Sequence, residues 1–100
     1  MTTLATRNRI IETAAAFRLL ADPTRCKILL ALVRKPSGMC VYEIADMLGV
    51  SHSGASHQLG KMERAGVLAG FREGQMVCYR IAQTSRSRII VKVLRAIHYT

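Results

Sequence analysis

The amino-acid sequence predicts a mostly α-helical domain with a small β-hairpin, and three observations carry that expectation. Residues 41–65 hold two short helical runs parted by Gly49-Val50-Ser51. Residues 67–81 read as two strands around Glu73-Gly74-Gln75. Runs with helical apolar spacing flank this block at about 5–20 and 85–97. Helix, tight turn, helix and hairpin, in that order, make a winged helix-turn-helix, a shape that lays one helix in the major groove of DNA. One hundred residues suffice for a single domain, 1–100, and leave it small enough to gain from a partner subunit.

The first helix is expected over about 5–20, where Ile10, Ala14 and Phe17 recur on one face. Asp22 can cap the next helix, and Pro23 suits a first turn whose amide needs no partner. That helix runs to about Val33, with Cys26, Leu29, Leu30 and Val33 as its buried stripe, and Lys35-Pro36-Ser37-Gly38 stops it. The third helix covers about Val41 to Leu48, with Ile44, Ala45 and Leu48 inward and Gly49 as the left-handed residue that ends it. Val50 is expected to pack beneath the turn. Ser51 caps a fourth helix from His52 to about Ala65, with Ala55, Leu59 and Met62 inward and Gly66 after it. Strands follow at Val67 to Arg72 and Met76 to Ile81, the second with Val77, Tyr79 and Ile81 on a half-buried face. The last helix, about Ser85 to Ile97, is apolar most of the way round, which implies burial on two sides. Its second side is read as a homodimer interface, with Ile90, Val93, Leu94 and Ile97 meeting Ile10 and Ala14 of the first helix.

Fifteen Lys and Arg against six acids give a formal charge of +9. That balance suits a polyanion, because each neutralised phosphate releases counterions. A solvated basic surface is the plainer use of the same charge. Three cysteines set far apart argue against a disulfide framework and for a reducing compartment, so a cytoplasmic location is expected. No apolar run approaches the roughly 18 residues of a membrane span, so no membrane partner is expected. Charges inside the N-terminal apolar pattern argue against a cleaved signal peptide.

The outer face of the fourth helix begins with His52, Ser53, Ser56 and His57, short polar groups that can hydrogen-bond base edges, and Gln58 can pair with adenine if it points outward. These five are the candidate base readers of double-stranded DNA. Lys61, Arg64, Arg72 and Arg80 are candidate phosphate partners, which hold register without reading sequence. Arg86, Arg88, Lys92 and Arg95 lie away from this face and are read as solvated. Cys26 and Cys78 are read as small packing residues. Cys40 opens a helix, where the N-terminal dipole favours a thiolate, and is the candidate sensor. His52 and His57 are off one helical face, which argues against a shared metal. No metal site, cofactor or catalytic residue is expected.

Several of these motifs resemble the ArsR/SmtB family of repressors. Leu20-Ala21-Asp22-Pro23-Thr24-Arg25 is similar to the family's opening of its second helix. Ile44-Ala45 through Leu48-Gly49-Val50-Ser51, then Ser56-His57-Gln58-Leu59, resembles its reading head. Ala65-Gly66-Val67, Arg72-Glu73-Gly74-Gln75 and Tyr79-Arg80-Ile81 resemble its wing. The resemblance covers about Phe17 to Ile81. It implies a dimeric repressor on a palindromic operator, usually released by a metal, metalloid or redox signal. The effector side departs from the family: Cys40 matches the first thiolate of a Cys-x-Cys metal motif, but Tyr42 stands at the second, a poor ligand for soft metals. The last helix opens Ser85-Arg86-Ser87-Arg88 and offers only His98, so the family's second metal site is not expected either. The runner-up function is a winged-helix protein-interaction module, which an uncharged polar reading face and a basic wing disfavour. A thiol enzyme is disfavoured because no nucleophile, base and orienting group stand in a recognisable arrangement.

Overall fold

Side-chain caps decide where the chain breaks into helices. The computed structural model describes residues 3–99. Thr3 opens α1 (Leu4–Leu20) by accepting the Thr6 amide. Asp22 opens α2 (Pro23–Arg34), its Oδ2 accepting the Arg25 amide at 2.9 Å. Arg25 also donates from Nε to the Leu19 carbonyl and from its terminal nitrogen to that of Arg18, so one residue starts α2 and ties off α1. A two-residue strand, β1 (Met39–Cys40), leads into α3 (Val41–Leu48). Gly49 ends α3 in the left-handed region at φ 68°, as expected of a glycine there. Ser51 opens α4 (His52–Arg64), its Oγ accepting the Gly54 amide at 3.0 Å. β2 (Leu68–Glu73) and β3 (Met76–Ile81) form the hairpin, and Thr84 opens α5 (Ser85–His98).

The expected elements are present, with ends displaced by a residue or so, and β1 is an addition. It pairs antiparallel with β3, giving a three-stranded sheet in the order β1-β3-β2. Two residues are too few to show a strand period, so only the sheet reveals them. Gly38 makes the approach possible: at φ 100° a side chain there would put Cβ 2.7 Å from the Tyr79 carbonyl and 2.8 Å from the Phe71 ring.

The core runs through every helix, with Ala16, Ile28, Leu29, Leu32, Ile44, Ala55, Leu59, Met62 and Ile90 fully buried. Several expectations need correction. Ile90 and Leu94, expected at a subunit interface, are 0% and 2% exposed inside this chain's own core, because α5 packs along α1 and against α2. Val50 is exposed, since the turn directs it outward. Val77 is exposed near the hairpin tip, beyond the reach of the helices, while Tyr79 on the same face is buried. Val67 lies before β2 and is fully buried; its carbonyl accepts from the Ala82 amide and the Ser87 hydroxyl. Cys26 is half-buried against the core rather than within it. Arg86 is not a solvated residue: it forks onto Glu12 at 3.0 and 3.3 Å and donates to the Ala65 carbonyl, joining α1, the end of α4 and α5.

Glu43 caps the start of α3, its carboxylate accepting the Cys40 amide at 2.9 Å, with Lys35 at 3.4 Å. That amide bond holds its pKa below the usual carboxylate value; desolvation opposes it, and Lys35 adds a smaller lowering. A lowered folded pKa stabilises above the unfolded value and is lost as pH falls through the folded one. Acid titration of wild type and Glu43→Gln should therefore give stabilities that differ near neutral pH and converge as pH falls through and below the ordinary carboxylate range. A difference unchanged down to pH 3 would rule this out.

Candidate nucleic-acid interface

α4 is held by one face and free on the other. Ala55, Leu59 and Met62 are fully buried, three to four residues apart, which is the spacing of one helical stripe. His52, Ser53, Ser56 and His57 are all exposed, and so are Lys61 and Arg64 further along. Gln58 is half-buried, being set back toward the inner side. The open face thus begins with short uncharged groups and ends in two cations. Gly60 lies on the same side, and a Cβ there would meet only the Arg64 side chain, at 3.5 Å. Within the described residues no other helix explains that glycine.

The wing is anchored to α4 by a contact that the sequence did not suggest. Glu63 accepts the Gly70 amide at 3.2 Å, and a Cβ on Gly70 would stand 2.8 Å from the same carboxylate. Tyr79 packs on this side; burial first, and Glu63 second, raise its phenol pKa, so it stays neutral. The register Arg72↔Val77 and Ala69↔Arg80 separates the two wing arginines. Arg72 shares the face of Gly70 and Tyr79, toward α4. Arg80 occupies the opposite face, its guanidinium over the Phe71 ring at 5.5 Å. It also lines a cavity of about 390 Å³ with Arg88, Lys92 and Arg95 of α5. Lys61, Arg64 and Arg72 therefore belong to one side of α4 and the wing, and Arg80 to another.

The cysteines overturn the expectations that no disulfide forms and that Cys78 only packs. Cys40 and Cys78 lie directly opposite each other on β1 and β3 and form a disulfide. Cys40 is 4% exposed, so it is neither an open thiol nor a thiolate in this state, and Cys78 is fully buried. Spacing in sequence hid the pair, because sheet register brought its members together. A Glu73 carboxylate oxygen and the two sulfurs lie within 4.8 Å of one another; with the sulfurs bonded to each other, the set has no thiolate to give a metal. Among the described residues Cys26 is the free cysteine. Tyr42 is exposed.

Exposed apolar residues lie on α3, the turn after it and the wing (Tyr42, Met47, Val50, Met76, Val77), and a further group lies on α1 and the end of α5. Ile10, Ile11 and Phe17 are more than half exposed, Ile97 is 66% exposed, Ala14 is exposed and Val93 half-buried. No helix among the described residues is long and apolar enough to cross a membrane.

A family model described as bacterial regulatory protein, arsR family, matches residues 22–69. The HTH-type transcriptional regulator CmtR of Mycobacterium tuberculosis is 33% identical over 81 residues, covering 80% of this chain and 66% of that protein. The chain thus spans just under two thirds of that relative's length. Among solved structures, the AntR antimony-specific transcriptional repressor has a TM-score of 0.72 and 28% identity, covering 99% of this chain and 86% of that one. The homodimeric winged helix-turn-helix DNA-binding domain of Mb0332 from Mycobacterium bovis has a TM-score of 0.74 and 22% identity, covering 98% and 85%. That second likeness is one of fold.

Proposed function

Because the chain belongs to the arsR family of bacterial regulatory proteins, we propose that it is a DNA-binding transcriptional repressor that acts in the cytoplasm as a homodimer on a palindromic operator. The observation that carries this reading is α4: one face fully buried, the other presenting His52, Ser53, Ser56 and His57 to solvent. Short polar groups let a helix sit deep in the major groove and bond base edges. In this reading those four residues read bases, with Gln58 reaching past them. Lys61, Arg64 and Arg72 hold the phosphates on the same side, and Arg80 contributes at most from the far face of the wing. The chain works as one unit, 1–100, and the family of regulatory proteins gives no reason to assign it a catalytic step.

The open apolar residues of α1 and α5 support the dimer. Ile10, Ala14, Val93 and Ile97 form its contact, joined by Phe17, while Ile90 and Leu94 belong to the core. The homodimeric assembly of the Mb0332 domain supports the same arrangement. Two-fold symmetry would set two copies of α4 about 34 Å apart, one turn of DNA.

Selection from a random DNA pool should enrich inverted repeats with that spacing; failure to enrich any sequence would overturn the reading. Sedimentation at micromolar concentration should give about twice the 11.1 kDa chain mass. Ile97→Glu should yield a folded monomer, because it burdens only the open face, whereas Leu94→Glu should unfold the chain by burying a charge. A folded, dimeric Ile97→Glu protein would remove α5 from the interface.

A further inference from the structure

We infer that Cys40 and Cys78 form a reversible dithiol–disulfide site that takes hydroperoxides as its oxidant and sets how firmly the wing is held to the reading helices. The coupling to DNA rests on the repressor reading; the chemistry of the pair does not.

The position of the pair carries the inference. Cys40 immediately precedes α3, and Cys78 lies in the middle of β3. The bond closes a ring across 38 residues of sequence that contains α3, α4 and β2, the whole reading unit. Without it, β1 meets β3 through only two residue pairs, Met39↔Tyr79 and Cys40↔Cys78. The covalent link is thus added where the backbone tie is thinnest, and its loss loosens the wing more than it would at the centre of a long ladder. Register keeps the two side chains facing in the reduced state, since directly opposed residues on antiparallel strands hold their Cβ atoms close. Cys40 retains slight exposure and Cys78 none, so oxidant arrives at Cys40. Cys26 lies on α2, outside the ring.

The step balances as follows in bonds and electrons. Cys40 Sγ gives up its proton and attacks the O–O bond of the hydroperoxide. An S–O bond forms, the O–O bond breaks, and the departing oxygen takes up the proton as alcohol, or as water from hydrogen peroxide. Cys78 Sγ then attacks the sulfenic sulfur: the S–S bond forms, the S–O bond breaks, and hydroxide leaves with the Cys78 proton as water. Two thiols are oxidised by two electrons in all, and the hydroperoxide is reduced by the same two. A dithiol reductant reverses the change by exchange. The disulfide holds α4 and the wing in one arrangement, and a preorganised surface binds more tightly than a loose one. Oxidation should therefore raise operator affinity.

The test uses the full chain reduced with dithiothreitol, then treated with hydrogen peroxide. Expected is loss of two hydrogens by mass, a Cys40–Cys78 cross-link in the peptide map, and one remaining titratable thiol. Operator affinity should rise at least about fivefold, the lower range of coupling between sites, and fall again with dithiothreitol. Cys78→Ser and Cys40→Ser should bind as the reduced protein does and show no rise in affinity with peroxide, Cys78→Ser gaining an oxygen at Cys40 without a cross-link, while Cys26→Ser responds like wild type. Oxidation at Cys26 alone, cross-links between chains, or affinity unchanged by the cross-link would each overturn the inference. A reduced protein that ignores peroxide but takes up zinc(II) through both thiols would also overturn it. If no DNA sequence is selected, the repressor reading fails, and the mass and peptide map still decide whether the site exists.

Discussion

Replacing Ser56 and His57 by alanine should abolish most sequence preference while leaving non-specific DNA binding nearly intact. Each side chain is short and exposed on the open face of α4, so it acts at base edges or not at all. A lost base contact costs about 1–3 kcal/mol, roughly 5- to 150-fold in affinity for each change alone. The two are adjacent, so the double variant need not lose the sum. Fluorescence anisotropy with a selected operator and with random DNA separates the two kinds of binding. Arg72→Ala supplies the contrast: it should weaken both DNAs alike and lower the slope of log affinity against log salt by about 0.9 for the one phosphate lost. Both sites are exposed, so stability should move by no more than about 0.5 kcal/mol. Equal loss on operator and random DNA in the Ser56 and His57 variants would mean that α4 is not the reader.

Gly38→Val should be the most damaging single change to the fold. The backbone there is at φ 100°, a region that a β-branched residue avoids, and its Cβ would fall 2.7 Å from the Tyr79 carbonyl and 2.8 Å from the Phe71 ring. Backbone strain of about 1–3 kcal/mol and overpacking of similar size add to roughly 2–6 kcal/mol. A domain of this size is stable by about 5–15 kcal/mol, so the variant stands near unfolding. Gly74→Ala at the hairpin tip is the control. Its φ of 62° carries strain of about 1–2 kcal/mol, but the new Cβ meets nothing within 4 Å. Urea unfolding should rank Gly38→Val well below Gly74→Ala. Equal midpoints would show that β1 is not held against β3 as described.

How far the sequence reached depended on whether the signal was local. Asp22, Ser51 and Gly49 act within a turn of themselves, so a cap or a left-handed stop could be read from neighbours alone, and the structure places them as expected. The buried stripe of Ala55, Leu59 and Met62 follows from the helix period, and the open face of α4 is its complement. The residues expected at a dimer interface were harder. Seven apolar positions on α5 signalled two buried sides, but not which side each one served. Packing against α1 and α2 decided that Ile90 and Leu94 face inward and Ile97 outward. The expectation of a solvated Arg86 failed for a similar reason: its partner Glu12 is 74 residues away in sequence.

The sequence by itself therefore determined the order of helices and hairpin, the open polar face of α4 and the basic charge, because period, caps and composition are properties of short stretches. Only the tertiary structure decided that β1 exists, that Glu63 holds Gly70, that Arg72 and Arg80 part to opposite faces, and that Cys40 meets Cys78. Each of these depends on strand register or helix docking. A shift of one residue in register would carry Cys78 to the other face and leave Cys40 without a partner.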